Sequence, residues 1–98
     1  MANQPSEMLQ RHRESIRRIV LRHRTTNPRV FGSVLSGTDT GDSDLDILVD
    51  ALPGATLFDL GAIQAELEEI LGVPVDVLTP GDLPAKFRAQ VLRDAVPV

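Results

Sequence analysis

The sequence predicts a small α/β (α+β) domain, and three observations carry that expectation. Apolar residues recur at three- and four-residue spacing in three separate segments, the period of a helix with one buried face. Between the first two, residues Asp44 to Asp50 alternate side by side, the period of a strand. A further stretch, Val73 to Thr79, carries Pro74 near its beginning, where a missing N–H is tolerable in a strand.

Taken in order, Ser6 to Arg24 reads as a helix. Leu9, Ile16, Ile19, Val20 and His23 share a face and leave the arginines on the other. Asn27-Pro28 stops it. Arg29 to Gly32 is then a short strand, and Gly32-Ser33 a break. Asp42-Ser43 leads into the alternating strand, where Leu45, Ile47 and Val49 point one way and Asp44, Asp46, Leu48 and Asp50 the other. Pro53-Gly54 turns the chain.

Thr56 with Asp59 three residues later is a capping-box-like start. The helix it opens carries Leu60, Ile63, Leu67, Ile70 and Leu71 on one face, and Gly72 suits its end. After the third strand, Thr79-Pro80-Gly81 turns the chain more as a structural step than as a site. Asp82 caps a last helix through Asp94, with Leu83, Phe87, Val91 and Ala95 as its apolar face. The order is helix, strand, turn, strand, helix, strand, helix. That fills a single domain over residues 1–98 and leaves no room for a second.

Composition narrows the chemistry. Three Phe, no Trp and no Tyr mean an aliphatic core, and the absence of cysteine excludes disulfides, zinc–thiolate sites and a thiol nucleophile. No run of 18 apolar residues suits a membrane span, and the polar N-terminus lacks the order of a signal peptide, so a soluble, cytoplasmic protein is expected.

The net charge of −4 hides a sharper segregation. Seven of the ten Lys and Arg residues are arginines between Arg11 and Arg29. From Val30 to Ala85 there is no Lys or Arg, against eleven Asp or Glu. Such a region attracts divalent cations and repels nucleic acid unless a metal intervenes. The basic first helix suits an acidic partner or a phosphate chain as well as plain solvation. His12 and His23 have no metal-ligand spacing.

Asp44 and Asp46 lie two apart in a strand, so their carboxylates emerge on one face and repel unless protonated or bridged by a cation. Oxygen-only ligands favour Mg²⁺ or Mn²⁺. Asp76, between Val75 and Val77 in the third strand, needs a partner that this pair and its metals would supply. Gly32-Ser33 offers backbone N–H groups and a hydroxyl to a phosphate oxygen. A phosphate beside three acids calls for metal ions between them, as in two-metal displacement at phosphorus.

Gly32-Ser33, ten residues, then Asp44-Leu45-Asp46 resembles the GSx₁₀DxD signature of the DNA polymerase β-like nucleotidyltransferase superfamily. Gly37 in the loop, Ser43 before the first acid, Ile47-Leu48-Val49 after the second and Asp76 beyond are similar to its minimal nucleotidyltransferase (MNT) branch. The resemblance covers nearly the whole chain. It implies a small mixed β-sheet flanked by helices, the polymerase β-like fold. It also implies that Gly32, Ser33 and Ser43 bind the nucleotide and that Asp44 and Asp46 bind two Mg²⁺ ions. Asp76 would complete the second metal site and help activate the attacking hydroxyl. Many relatives carry arginines after Gly-Ser where this chain has Val34 and Ser36, so Lys86 and Arg88 become candidates for meeting phosphate charge. Asp39 and Asp42 read as loop solvation, and Asp50 as beyond the motif.

Larger members of the superfamily append domains that grip their acceptor. This chain has none, so its acceptor is expected on another molecule. Solo MNT proteins resemble the antitoxin of HEPN/MNT toxin–antitoxin pairs, which transfers AMP from ATP to a tyrosine of its HEPN ribonuclease toxin. The expected partners are therefore ATP and a HEPN-type toxin, with no membrane and no direct nucleic-acid contact, as a homo- or hetero-oligomer. Two other readings stand beside it: an antitoxin that neutralises by binding alone, and a toxin that adds nucleotides to tRNA. With no tyrosine in the chain, modification of its own tyrosine is excluded.

Overall fold

A computed structural model describes residues 4–98; the first three residues of the expected domain, at the polar N-terminus, lie outside the described residues. The expected single helix over Ser6–Arg24 is two, α1 (Pro5–Arg11) and α2 (Arg13–Arg22), divided at His12. Positions 12 and 13 should continue the apolar stripe but hold His12 and Arg13, so nothing apolar anchors the middle of the helix to the core. The bend keeps both ends buried, Met8 and Leu9 before it, Ile16, Ile19 and Val20 after.

The chain stops being helical before Asn27-Pro28. Thr25, fully buried, donates its hydroxyl to the Val20 carbonyl at 2.7 Å, satisfying a carbonyl of the last helical turn. The first strand, β1 (Thr25–Phe31), runs through Pro28 instead of starting after it. A register shift between Thr26 and Arg29, with Asn27 at φ 55°, makes the bulge that accommodates a residue unable to donate. Gly32 at φ 80° then opens a one-turn helix, α3 (Ser33–Ser36), where the sequence suggested only a break.

The strand β2 (Leu45–Ala51) pairs antiparallel with β1 and parallel with β3 (Val75–Leu78). A short β4 (Val96–Pro97), not foreseen from the sequence, pairs antiparallel with β1. The sheet order β3-β2-β1-β4 is mixed, as expected. Between β2 and β3 runs α4 (Leu57–Leu71), which begins with the anticipated capping box. Thr56 accepts from the Phe58 N–H at 3.2 Å, and Asp59 accepts from the Thr56 N–H at 2.9 Å. Helices α1, α2 and α4 cover the face of the sheet that presents Leu45, Ile47 and Val49, and Ile63, Leu67 and Leu71 close that core. Ile70 stays outside it.

The other face is thinner. Leu48 lies among the aspartates in sequence yet is fully buried, because the 3-10 turn Pro80–Asp82 packs against β2 there. Asp82 accepts from both the N–H and the hydroxyl of Thr79, at 3.0 and 2.9 Å, so it closes this turn and does not cap the last helix. That helix, α5 (Ala85–Asp94), starts after Pro84 and buries none of its own side chains. Leu83 before it is buried, whereas Phe87 is 50% exposed.

Candidate active site

The site forms where the end of β1 meets the start of β2. Phe31, the last residue of β1, pairs with Asp46, and the chain then turns at Gly32 directly over that carboxylate. A Cβ at Gly32 would overlap Asp46 Oδ2 and stand 3.3 Å from Cγ. The turn is therefore glycine for two reasons: its positive φ and the side chain packed against its Cα. Ser33 begins α3, and the first N–H groups of such a turn have no acceptor within it.

Parallel pairing sets Asp46 on β2 opposite Asp76 on β3. Asp44 lies exposed just before β2, on the same side of the chain by alternation. Half burial pushes the Asp46 carboxyl up to about 6, and repulsion from Asp76 and then Asp44 adds to it. The three acids thus feel one another, but among the described residues no three Asp, Glu or His side chains close into a cage for a metal. Such an open, oxygen-only set fits Mg²⁺, which usually takes one or two carboxylates together with phosphate oxygens of the substrate. A cation there would relieve the repulsion at Asp46.

The remaining candidates are placed as follows. The Ser43 hydroxyl accepts from the Thr40 N–H at 2.8 Å and so braces the loop that delivers Asp44. Ser36 turns its hydroxyl back on α3, 3.4 Å from the Gly32 carbonyl and 3.3 Å from that of Ser33. Arg88 donates to the carbonyls of Gly81 and Leu83, at 3.4 and 2.9 Å, and holds the 3-10 turn. Lys86 sits 5.5 Å from the Phe87 ring centre.

Two aspartates have structural partners that the sequence did not announce. Asp50 is gripped by both terminal nitrogens of Arg29 at 3.0 and 3.2 Å, and by Asn27 at 3.0 Å. Those bonds, the Arg29 ones first, hold its carboxyl below the usual range. Asp39 accepts from the Ser6 N–H at 3.0 Å, which ties the loop to the start of α1 and lowers its carboxyl in the same way. No local spacing signals either contact, since the partners stand 21 and 33 residues apart.

Comparison with known proteins identifies the family. A family model described as "Nucleotidyltransferase domain" matches residues 9–98. The Methanocaldococcus jannaschii protein named "Putative protein adenylyltransferase MJ0435" is 39% identical over 80 residues, 82% of this chain and 86% of that one. "Protein adenylyltransferase MntA" of Thermococcus cleftensis is 37% identical over 67 residues, 68% of each chain. A solved structure described as "Structure of putative minimal nucleotidyltransferase" superposes with a TM-score of 0.84 at 42% identity, covering 95% of both chains. The mixed sheet, the helices on it and these relatives agree: the chain belongs to the nucleotidyltransferase domain family and is a nucleotidyltransferase of the minimal type.

Proposed function

We propose that the enzyme transfers AMP from ATP to a tyrosine hydroxyl of a HEPN-type ribonuclease toxin and so neutralises it. The observation that carries the chemistry is the convergence of Asp44, Asp46 and Asp76 beside Gly32 at one corner of the sheet. The names of the relatives, protein adenylyltransferases, support a protein acceptor and an adenylyl donor.

In this reading the Gly32-Ser33 turn holds the triphosphate through backbone N–H groups and the Ser33 hydroxyl. Asp44 and Asp46 would hold the ions that accompany it, and Asp76 would complete the second ion's site. Two Mg²⁺ ions, when bound, neutralise charge on the phosphoryl oxygens and lower the pKa of the attacking hydroxyl. Asp76, on the neighbouring strand, orients that hydroxyl toward the α-phosphorus. A new O–P bond forms there as the bond to pyrophosphate breaks on the opposite side, and the hydroxyl proton passes to Asp76. Ser43 acts indirectly, by fixing the loop before Asp44.

A second reading, neutralisation by binding alone, is favoured by one feature. No Lys or Arg lies between residues 30 and 85, and Ser36 is turned back on its own helix. One experiment separates the two. The protein is incubated with its neighbour-encoded partner, Mg²⁺ and α-labelled ATP, beside Asp44→Asn and Asp76→Asn variants. Label on the partner with wild type alone supports transfer. Neutralisation without label, or label that survives Asp44→Asn, refutes it, and label on RNA points to a tRNA-modifying enzyme.

A further inference from the structure

A cleft of about 480 Å³ opens between α3 and α5, and Gly32, the residue packed against Asp46, forms part of its wall. Phe31, Leu35, Phe87 and Val91 give it an apolar interior, and Gln90 and Asp94 are the polar groups on its α5 side. Its size is that of a small-molecule pocket, with few polar groups to orient a guest.

We propose that this cleft is the base subsite of the nucleotide substrate, built for a purine that carries an exocyclic amino group. The inference rests on the nucleotide reading of the Gly32–Asp46 corner and extends it. Three observations choose the occupant. The lining has no Lys or Arg and includes the Asp94 carboxylate, so it does not suit a phosphate chain. The acceptor's side lies elsewhere, because Asp76 is on β3, one edge of the sheet, while the cleft flanks β1 beyond the other side of β2. A flat, uncharged group joined to the triphosphate remains, and Phe87, half exposed at the cleft, gives it a ring to stack on. Asp94 can only accept hydrogen bonds when ionised and Gln90 can do both, which matches an amino group beside a ring nitrogen.

The test uses the full chain with Mg²⁺ and 2-aminopurine riboside triphosphate as the probe. The chain has neither Trp nor Tyr, so the probe's fluorescence is read without a protein background. Binding should quench the probe. Phe87→Ala should weaken its binding by about tenfold, the loss expected for one base–aromatic stack, and restore emission. Asp94→Ala should abolish the preference for ATP over purine riboside triphosphate, which lacks the amino group. Binding of inorganic tripolyphosphate should be unchanged in both variants, showing that fold and phosphate site are intact. Unaltered quenching and affinity in Phe87→Ala would overturn the base subsite while leaving the nucleotide reading standing. Failure of wild type to bind any triphosphate would overturn both.

Discussion

The backbone of Gly32 lies against the carboxylate of Asp46, so closely that the two residues cannot both keep their places if Gly32 gains a side chain. Gly32→Ala meets two penalties. Its backbone region, φ 80° with ψ −148°, costs a non-glycine residue about 1–3 kcal/mol, and the new methyl forces Asp46 to swing away. The variant should therefore melt lower yet remain folded, and lose nearly all transfer activity. Circular dichroism melts and the α-labelled ATP assay check the two effects separately.

Asp46 itself should destabilise the metal-free protein at neutral pH. Its carboxyl titrates near 6 in the folded chain against 3.8 unfolded, so the folded state holds the proton more tightly. By linkage, the contribution of this carboxyl is most favourable below pH 4, worsens as pH rises toward 6, and carries the whole penalty above it. Asp46→Asn should raise the apo melting temperature at pH 8 by roughly 5 °C, what about 1 kcal/mol does in a domain this size once screening of a half-exposed group is discounted. The gain should vanish at pH 4. Melts across that range, with and without Mg²⁺, test it, and no gain at pH 8 would refute it.

Asp50 should behave in the opposite sense. Its lowered carboxyl contributes stability above the ordinary carboxylate range and loses it as pH falls through the depressed value. Removing it leaves the Arg29 guanidinium, 13% exposed and with a buried Nε already lacking a partner among the described residues, without its anion. Asp50→Asn should cost about 1–3 kcal/mol at pH 7 and much less at pH 2. Urea denaturation at the two pH values measures the difference.

Asp39 joins the long loop to α1 through the Ser6 N–H, as a capping side chain supplied from 33 residues away. Asp39→Ala should cost about 1 kcal/mol, the usual worth of a cap, and the loss should be local. Hydrogen exchange should quicken in Pro5–Arg11 with little change in α4.

How much of this was legible in the sequence depends on whether the determining contact was local. The alternation from Asp44 to Asp50, the Thr56–Asp59 capping box and the Gly72 stop are written within a few residues, and the structure has them where expected. The Gly32-Ser33 to Asp44-Asp46 spacing also located the corner where β1 and β2 meet. Contacts between distant segments left no local trace. The break at His12 had a local sign, the polar His12 and Arg13 in the middle of the apolar stripe. Strand β4 exists because β1 offers it an edge, whereas Asp82 closes its own turn through a contact only three residues away. Asp39 and Asp50, read as solvated or spare, are tied to partners that only the folded chain brings near.

Helix α5 buries none of its own side chains and is tied down by the buried Leu83 before it, by the bonds of its own Arg88 to the preceding turn, and by β4 and the buried Val98 after it. It is mechanically a beam held at two supports. Deflecting it costs little hydrophobic contact, whereas the sheet is held by the main core. One wall of the cleft is therefore compliant, while Asp46 and Asp76 stand on strands rooted in the main core, so a guest that enters adjusts the width of the cleft without disturbing them.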